Sequence, residues 1–168
     1  IVAHMLDHYF EGMAGAAGEL QRGRALILAR DFANAELAAR AALQAQPALH
    51  DARLLLAEAL LLQDRPAEAE AELRRLLAEQ PDRAEVLITL ARAVARGDRA
   101  RLSEAIGHIE AAFALESLTL VDVRAVAELV RRRASPETAE WLMRQAVARF
   151  PASVQAYAPL ANVLLDQG

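Results

Sequence analysis

Apolar residues along this chain recur at steps of three and four positions, in short bursts separated by polar turn residues. Leu56 and Leu60 belong to one burst, Ala69 and Leu73 belong to the next, and Pro66 lies at the break between them. Steps of three and four place side chains on one face of an α-helix. Because proline fits the first turn of a helix, the pattern predicts two consecutive helices joined by a short turn.

The two-helix pattern repeats with a nearly constant period. Two series of small residues carry it, at spacings of 34 or 36 residues: Gly23, Ala57, Ala91 and Ala127, and Ala35, Ala69, Ala105 and Ala139. In each series one spacing is 36 residues and the other two are 34. The two additional residues must lie between Ala91 and Ala105, so the turn at residues 96–101 is predicted to be longer than its counterparts. A fixed period of this size predicts stacked helix pairs that bury their apolar faces against each other.

Proline, serine and aspartate mark the predicted helix ends. Pro66 and Pro136 indicate the starts of second helices, with Ser135 as an N-cap, and Asp31 and Ser103 suit the equivalent turns. The residue before a proline avoids the α region, so second helices are expected to end before three further prolines. These are Pro47, Pro81 and Pro151.

The small residues have a predicted role in packing. A side chain larger than a methyl group would hold two closely crossing helices apart. The two small-residue series are therefore interpreted as the crossing points of the helix pairs.

In this register the chain resembles the tetratricopeptide repeat (TPR) family, whose pattern has small residues at three fixed positions and a proline near the end of each unit. In the first unit these positions hold Gly23, Ala35, Ala42 and Pro47. Ser117 replaces the proline of the third unit, and Arg22 replaces a core leucine of the first. The resemblance implies an all-α fold, a right-handed α-solenoid or superhelix of antiparallel helix pairs. It covers residues 16–168, as repeats at about 16–49, 50–83, 84–119 and 120–153 and a partial repeat at 154–168.

The two ends of the chain suggest a piece of a longer protein. Residues 1–15 are interpreted as an N-terminal extension or a tag remnant with a short helix. Residues 154–168 supply only the first helix of a fifth repeat, which Pro159 is expected to kink or to start late. All 19 basic residues are arginine, as is typical of high-GC genomes, so we expect a bacterial source and leave the compartment open between cytoplasm and periplasm.

Composition and charge narrow the classes of function. A net charge of −4 disfavours general binding to nucleic acid. No apolar run is long enough for direct membrane insertion, and the absence of cysteine excludes disulfides and thiolate chemistry. The chain has no phosphate-binding glycine loop and no nucleophile motif. We therefore expect no cofactor and no enzymatic activity.

One pair of histidines has the spacing of metal ligands. His4 and His8 lie four residues apart, with Asp7 and Glu11 nearby, and could share one helix face. A tag remnant explains His4 equally well and no further metal motif accompanies the pair, so no metal site is predicted.

The TPR resemblance implies a binding surface. In that family the first helices line a concave groove that holds an extended peptide or a helix of a partner protein. Transferred to this chain, the groove residues are Leu20, Arg24, Leu54, Glu58, Leu61, Ile88, Arg92, Arg96, Arg124, Glu128, Arg131 and Arg132. One end of this surface is apolar and the other is rich in arginine, which suits an amphipathic segment with acidic groups. The lysine and asparagine clamp of chaperone-tail binders is absent.

Three functions remain open. The first is a protein-binding scaffold that takes a protein or peptide partner. The second is self-association into a homo-oligomer through exposed apolar faces. The third is a regulatory or substrate-binding arm of a larger enzyme. Residues such as Leu54 and Leu61 could equally pack against the neighbouring repeat, in which case they would not contact a partner.

Overall fold

The computed structural model describes residues 15–168, and every regular element in this range is a helix. The chain divides into two compact units, residues 1–79 and 80–168. The helices of the first unit are α1 (Ala16–Leu28), α2 (Phe32–Ala45), α3 (His50–Leu62) and α4 (Pro66–Glu79). Those of the second unit are α5 (Ala84–Gly97), α6 (Leu102–Phe113), α7 (Leu120–Arg133), α8 (Pro136–Arg149) and α9 (Val154–Gln167), with a 3₁₀ helix at Arg99–Arg101. The predicted N-terminal helix and the pair His4 and His8 lie outside the described residues.

Most consecutive helices pack against each other within each unit. In the first unit α1 packs on α2, α2 on α3 and α3 on α4, and the first helices α1 and α3 also contact each other. In the second unit α5 packs on α6, α7 on α8 and α8 on α9, while α5 contacts α7 and α7 contacts α9. Each unit is therefore built from helix pairs whose first helices lie side by side, which confirms the predicted all-α repeat fold.

The small residues are buried, as their predicted role at helix crossings requires, except Ala127, which is half-buried. Ala35, Ala69, Ala105 and Ala139 are all buried. At Gly23 a Cβ atom would lie 2.5 Å from Cδ2 of Leu55 and 3.4 Å from Cβ of Ala38. Because real Cβ atoms do not approach so closely, α1 can pack at this distance only with glycine at position 23 or after Leu55 has moved.

Side-chain caps fix several helix starts. The carboxylate of Asp31 accepts a hydrogen bond from the Asn34 amide at 3.3 Å, and the Ser135 hydroxyl accepts one from the Thr138 amide at 3.2 Å. Second helices begin at Pro66 and Pro136, as predicted. A capping side chain satisfies one of the amides that have no partner in the first helical turn.

The lengthened turn of the third helix pair contains the 3₁₀ helix, which accounts for the extra residues. Asp98 caps it by accepting a hydrogen bond from the Ala100 amide at 2.8 Å. The prediction that Ser103 belongs to this turn is wrong. Helix α6 begins at Leu102, three residues before Ala105, just as α4 begins at Pro66, three residues before Ala69, so Ser103 lies inside the helix.

Ser117, which replaces the expected proline, caps a helix that is distant in sequence. Its hydroxyl donates to the Asp82 carbonyl at 2.8 Å and accepts from the Ala84 amide at 2.9 Å. Ala84 is the first residue of α5, whose own N-cap residue makes no side-chain capping bond. Ser117 therefore joins the end of the third helix pair to its beginning.

The last helix does not start late, so that part of the prediction for Pro159 is wrong. Helix α9 begins at Val154 and continues through Pro159 to Gln167. The ring of Pro159 removes one N–H, which in a regular helix would bond to the carbonyl of Gln155. The loss of one bond in a helix of 14 residues does not move its start.

Candidate functional site

A groove of the second unit lies between α7 and α9 and has a volume of about 540 Å³. Its α7 side is formed by residues at steps of three and four, which lie on one helix face. Its α9 side is formed by the equivalent face of the next first helix. The lining residues are Val121, Arg124, Ala125, Ala127, Glu128, Arg131, Pro159, Asn162 and Val163.

A capping box fixes the start of α7 and with it the position of this face. The amide and the hydroxyl of Thr119 both donate to Oδ2 of Asp122, each at 2.8 Å. The Thr119 hydroxyl in turn accepts from the Asp122 amide at 3.3 Å. Asp122 is the one buried charged residue within residues 15–168. Reciprocal bonds of this kind hold the first turn of a helix in place.

The lining of the groove carries two positive side chains and one negative side chain. Glu128 lines the groove, but its carboxylate accepts a hydrogen bond at 2.7 Å from Arg132, which lies outside the lining. Within residues 15–168, Arg124 and Arg131 form no ion pair and no hydrogen bond through their side chains. Two guanidinium groups are therefore available to a carboxylate or phosphate, which arginine binds with two parallel hydrogen bonds.

Apolar side chains accompany these charges. Val163 is buried in the floor beside Pro159, whereas Val121 is exposed at one end. The amide of Asn162 faces the same space. A surface with an apolar floor and a few charged groups can bind an amphipathic segment, whose apolar side covers the floor while its charges pair at the edge.

In the second unit, three of the predicted groove residues meet in this groove, namely Arg124, Glu128 and Arg131. Arg132 lies outside the lining and pairs with Glu128. Ile88 is buried, Arg92 is half-buried and Arg96 is exposed, and none of these three lines the groove.

In the first unit, the predicted apolar groove residues are buried. Leu20, Leu54 and Leu61 have exposed fractions of 6%, 5% and 2%. These side chains present almost no surface to a partner, so their burial favours the alternative that they pack within the protein. Arg24 is exposed and donates to Asp51 at 3.0 Å, and Glu58 is half-buried.

The α9 side of the groove was not predicted from the sequence. Pro159 and Asn162 lie 34 residues after Ala125 and Glu128, so the repeat period itself relates the two sides. Extending the groove positions into the partial fifth repeat would have identified both residues.

In the described residues, the histidine and acidic side chains do not meet the requirements of a metal site, and the helices do not meet those of a membrane span. Within residues 15–168, no three histidine or acidic side chains lie close enough to hold a metal ion. His50 contacts Glu79 at 2.8 Å, and His108 lies 3.7 Å from Glu104. No helix in the same range combines the length and the apolar character needed to cross a membrane.

Comparison with known proteins gives one family and a similar structure. The family model described as tetratricopeptide repeat matches residues 26–93. No curated protein sequence matches the chain. The crystal structure of a thermophilic TPR protein of Thermus thermophilus is similar with a TM-score of 0.74 and 19% sequence identity, over 92% of this chain and 84% of that chain. At this identity the likeness establishes the fold.

Proposed function

We propose that this chain is a protein-binding scaffold whose partner segment docks between α7 and α9. The match to the tetratricopeptide repeat model over residues 26–93 supports the proposal, because such repeats generally mediate protein–protein interactions. On this proposal the chain binds a peptide or helical segment and performs no chemistry of its own. One observation carries the proposal. The guanidinium groups of Arg124 and Arg131 have no ion partner in residues 15–168, and they lie beside an apolar floor formed by Pro159 and Val163.

A charge pair formed at this groove with a partner would be stronger than an ion pair on an exposed helix surface. Exposed arginines on helices usually pair with acidic residues one turn away, as Arg144 does with Glu140 at 2.7 Å. Such pairs contribute little to stability. A guanidinium group beside an apolar floor contributes more once a partner excludes water, because the charge pair then lies in a medium of lower dielectric constant. Binding would therefore use side chains that the described fold leaves without an ion partner.

The groove can be blocked by one substitution. Asn162 is exposed on α9 and lines the groove, so Asn162→Trp would fill the space with a large ring without entering the core. Gln145→Trp on α8 is the matched control, since it places the same ring on an exposed position away from the groove. Peptides selected from a displayed library on the parent chain provide the probes.

We expect the selected peptides to lose at least about tenfold in affinity for the Asn162→Trp variant, because the new ring occupies their site. The Gln145→Trp variant should bind them as the parent does, by isothermal titration calorimetry. Peptides that bind the Asn162→Trp variant with unchanged affinity would show that the α7 and α9 groove is not the binding surface.

A second candidate function is self-association, favoured by a specific observation on α9. Val154 and Leu165 have exposed fractions of 82% and 77%, and Tyr157 and Leu164 are also exposed on this helix. Clustered exposed apolar residues mark interaction surfaces. Light scattering tests this candidate, since a mass that rises with concentration in the parent and stays at 18.2 kDa in Leu165→Glu would support it.

A further inference from the structure

Arg124 and Arg131 are seven residues apart on the groove face of α7. Seven residues correspond to two helical turns, which is an axial separation of about 10.5 Å with an angular offset of about 20°. Both side chains therefore project from the same face, one near each end of the groove. Neither has an ion partner in the described residues.

Between the two arginines the groove has apolar residues on both helices and one acidic residue on α7. Ala127 lies there on α7, opposite Pro159 and Val163 on α9. Glu128 is the acidic residue of the lining, and its carboxylate is bound to Arg132 at 2.7 Å. Along α7 the groove thus has a guanidinium group, then an apolar residue beside a carboxylate that is paired with Arg132, and then a second guanidinium group.

The spacing of the two arginines distinguishes a helical partner from a partner in a β-strand. Residues on the same face of a β-strand are separated by about 6.6 or 13 Å, for steps of two and four residues. Neither separation matches the axial distance of about 10.5 Å between the two arginines. Residues seven apart on a partner helix have the same axial separation and the same angular offset as the two arginines. A helix lying along α7 can therefore present one carboxylate to each guanidinium group.

We propose that the occupant of this groove is an amphipathic helix of a partner protein that carries two acidic residues seven positions apart, with apolar residues at the third and fourth positions after the first. The proposal rests on the function proposed above and defines the chemistry of the partner. The apolar pair on the partner would cover Ala127, Pro159 and Val163, while each carboxylate would bind one arginine with two parallel hydrogen bonds.

Designed helical peptides test the spacing directly. Three alanine-based peptides of identical composition would each carry two glutamates and a leucine pair at the third and fourth positions after the first glutamate. The glutamates would lie five, seven or nine positions apart. Positions five or nine apart point to different faces of a helix, so only the spacing of seven allows both carboxylates to reach the groove. Each peptide is titrated into the full 168-residue chain while the amide chemical shifts of the chain are recorded. The shifts give both the affinity of the peptide and the location of its binding site.

We expect the peptide with a spacing of seven to bind at least about fivefold more tightly than the other two, with shifts on α7 and α9. Arg124→Ala and Arg131→Ala should each remove this preference. Arg133→Ala is the matched control, because it removes the same charge from the same helix outside the groove lining. It should retain the preference for a spacing of seven.

Two outcomes would overturn the helix proposal. One is equal affinity at the groove for all three spacings, and the other is no binding of the seven-spaced peptide at millimolar concentration. In the absence of peptide, the amide chemical shifts of the groove residues could change with protein concentration. That result would identify a second copy of the chain as the occupant and would also overturn the helix proposal. The function itself fails separately, when library peptides bind the Asn162→Trp variant normally.

Discussion

The two units of the chain use their charged side chains differently. In the first unit, ion pairs join different helices: Arg53 on α3 pairs with Glu72 on α4 at 2.7 Å, and Arg24 on α1 pairs with Asp51 on α3 at 3.0 Å. In the second unit, pairs such as Glu128 with Arg132 lie within one helix. The first 79 residues contain 8 arginines and 12 acidic residues, whereas residues 80–168 contain 11 of each.

A single carboxylate organises the densest charge cluster of the first unit. Glu36 on α2 accepts from Arg65 at 2.6 Å, from Arg40 at 2.7 Å and from Gln63 at 2.9 Å. Arg65 also pairs with Glu68 at 2.7 Å. The cluster connects α2 to the turn between α3 and α4. The comparison indicates that charge in the first unit holds helices together, whereas part of the charge in the second unit is available for binding.

The largest predicted effect concerns a feature that the two units share. Ala69 and Ala139 are both buried at helix crossings. Ala69→Glu and Ala139→Glu should each reduce the free energy of unfolding by more than about 4 kcal/mol, because an unpaired charge is buried and the crossing is overpacked. Urea unfolding followed by circular dichroism measures this loss. Ala71→Glu, on the exposed face of α4, should change stability by less than about 0.5 kcal/mol. A parent-like midpoint for Ala69→Glu would refute the register of the repeats.

The next effect should occur in the first unit. Glu36→Gln removes the charge at the centre of the cluster and replaces one acceptor oxygen with a donor. The free energy of unfolding should fall by about 1–2 kcal/mol, since the side chain of Glu36 is only 12% exposed and several donors lose their partner. Glu110→Gln in the second unit is the matched control, because Glu110 is exposed on α6. If urea unfolding shows the same loss of free energy for Glu36→Gln and Glu110→Gln, charge does not hold the helices of the first unit together more than those of the second.

Acid should weaken the first unit through the same carboxylate. Burial raises the pKa of Glu36, but the hydrogen bonds from Arg40 and Gln63 and the interaction with Arg65 outweigh it, so the pKa lies below its usual 4.5. A pKa that is lower in the folded state gives a stabilisation that is complete above the unfolded value and is lost as the pH falls through the folded value. The stability of the parent should therefore decline below about pH 4.5, and Glu36→Gln should show a smaller decline in urea unfolding between pH 3 and 7. Identical pH profiles would exclude this role of Glu36.

The fold was largely predictable from the sequence because its determinants are local and repeated. The two small-residue series and the prolines predict the crossings and most helix ends, and the family match over residues 26–93 confirms the repeat. The charge cluster was not predictable in this way. Glu36 and Arg65 are 29 residues apart, and their contact depends on a turn in which Asp64 adopts a positive φ of 61°. Arg30, which lies 34 residues earlier, adopts the same angle. Neither residue is a glycine, which would have marked such a turn in the sequence.

The candidate site was predictable in part. Arg124, Glu128 and Arg131 follow from the register of a first helix and line the groove. Leu54 and Leu61 occupy equivalent positions and are buried. The register determines which direction a side chain faces, but its exposure depends on which helices pack over it. Sequence periodicity alone does not contain that information.

The smallest predicted effect is also the most direct test of the difference between the units. Arg131→Ala should change the free energy of unfolding by less than about 0.5 kcal/mol, because Arg131 has no ion partner in the described residues. Arg53→Ala should reduce it by about 1–2 kcal/mol, because the side chains of Arg53 and Glu72 are 16% and 19% exposed and the substitution leaves Glu72 without this partner. Both values come from urea unfolding at neutral pH. If Arg131→Ala destabilises the chain as much as Arg53→Ala, the groove arginines hold the fold together and are not reserved for a partner.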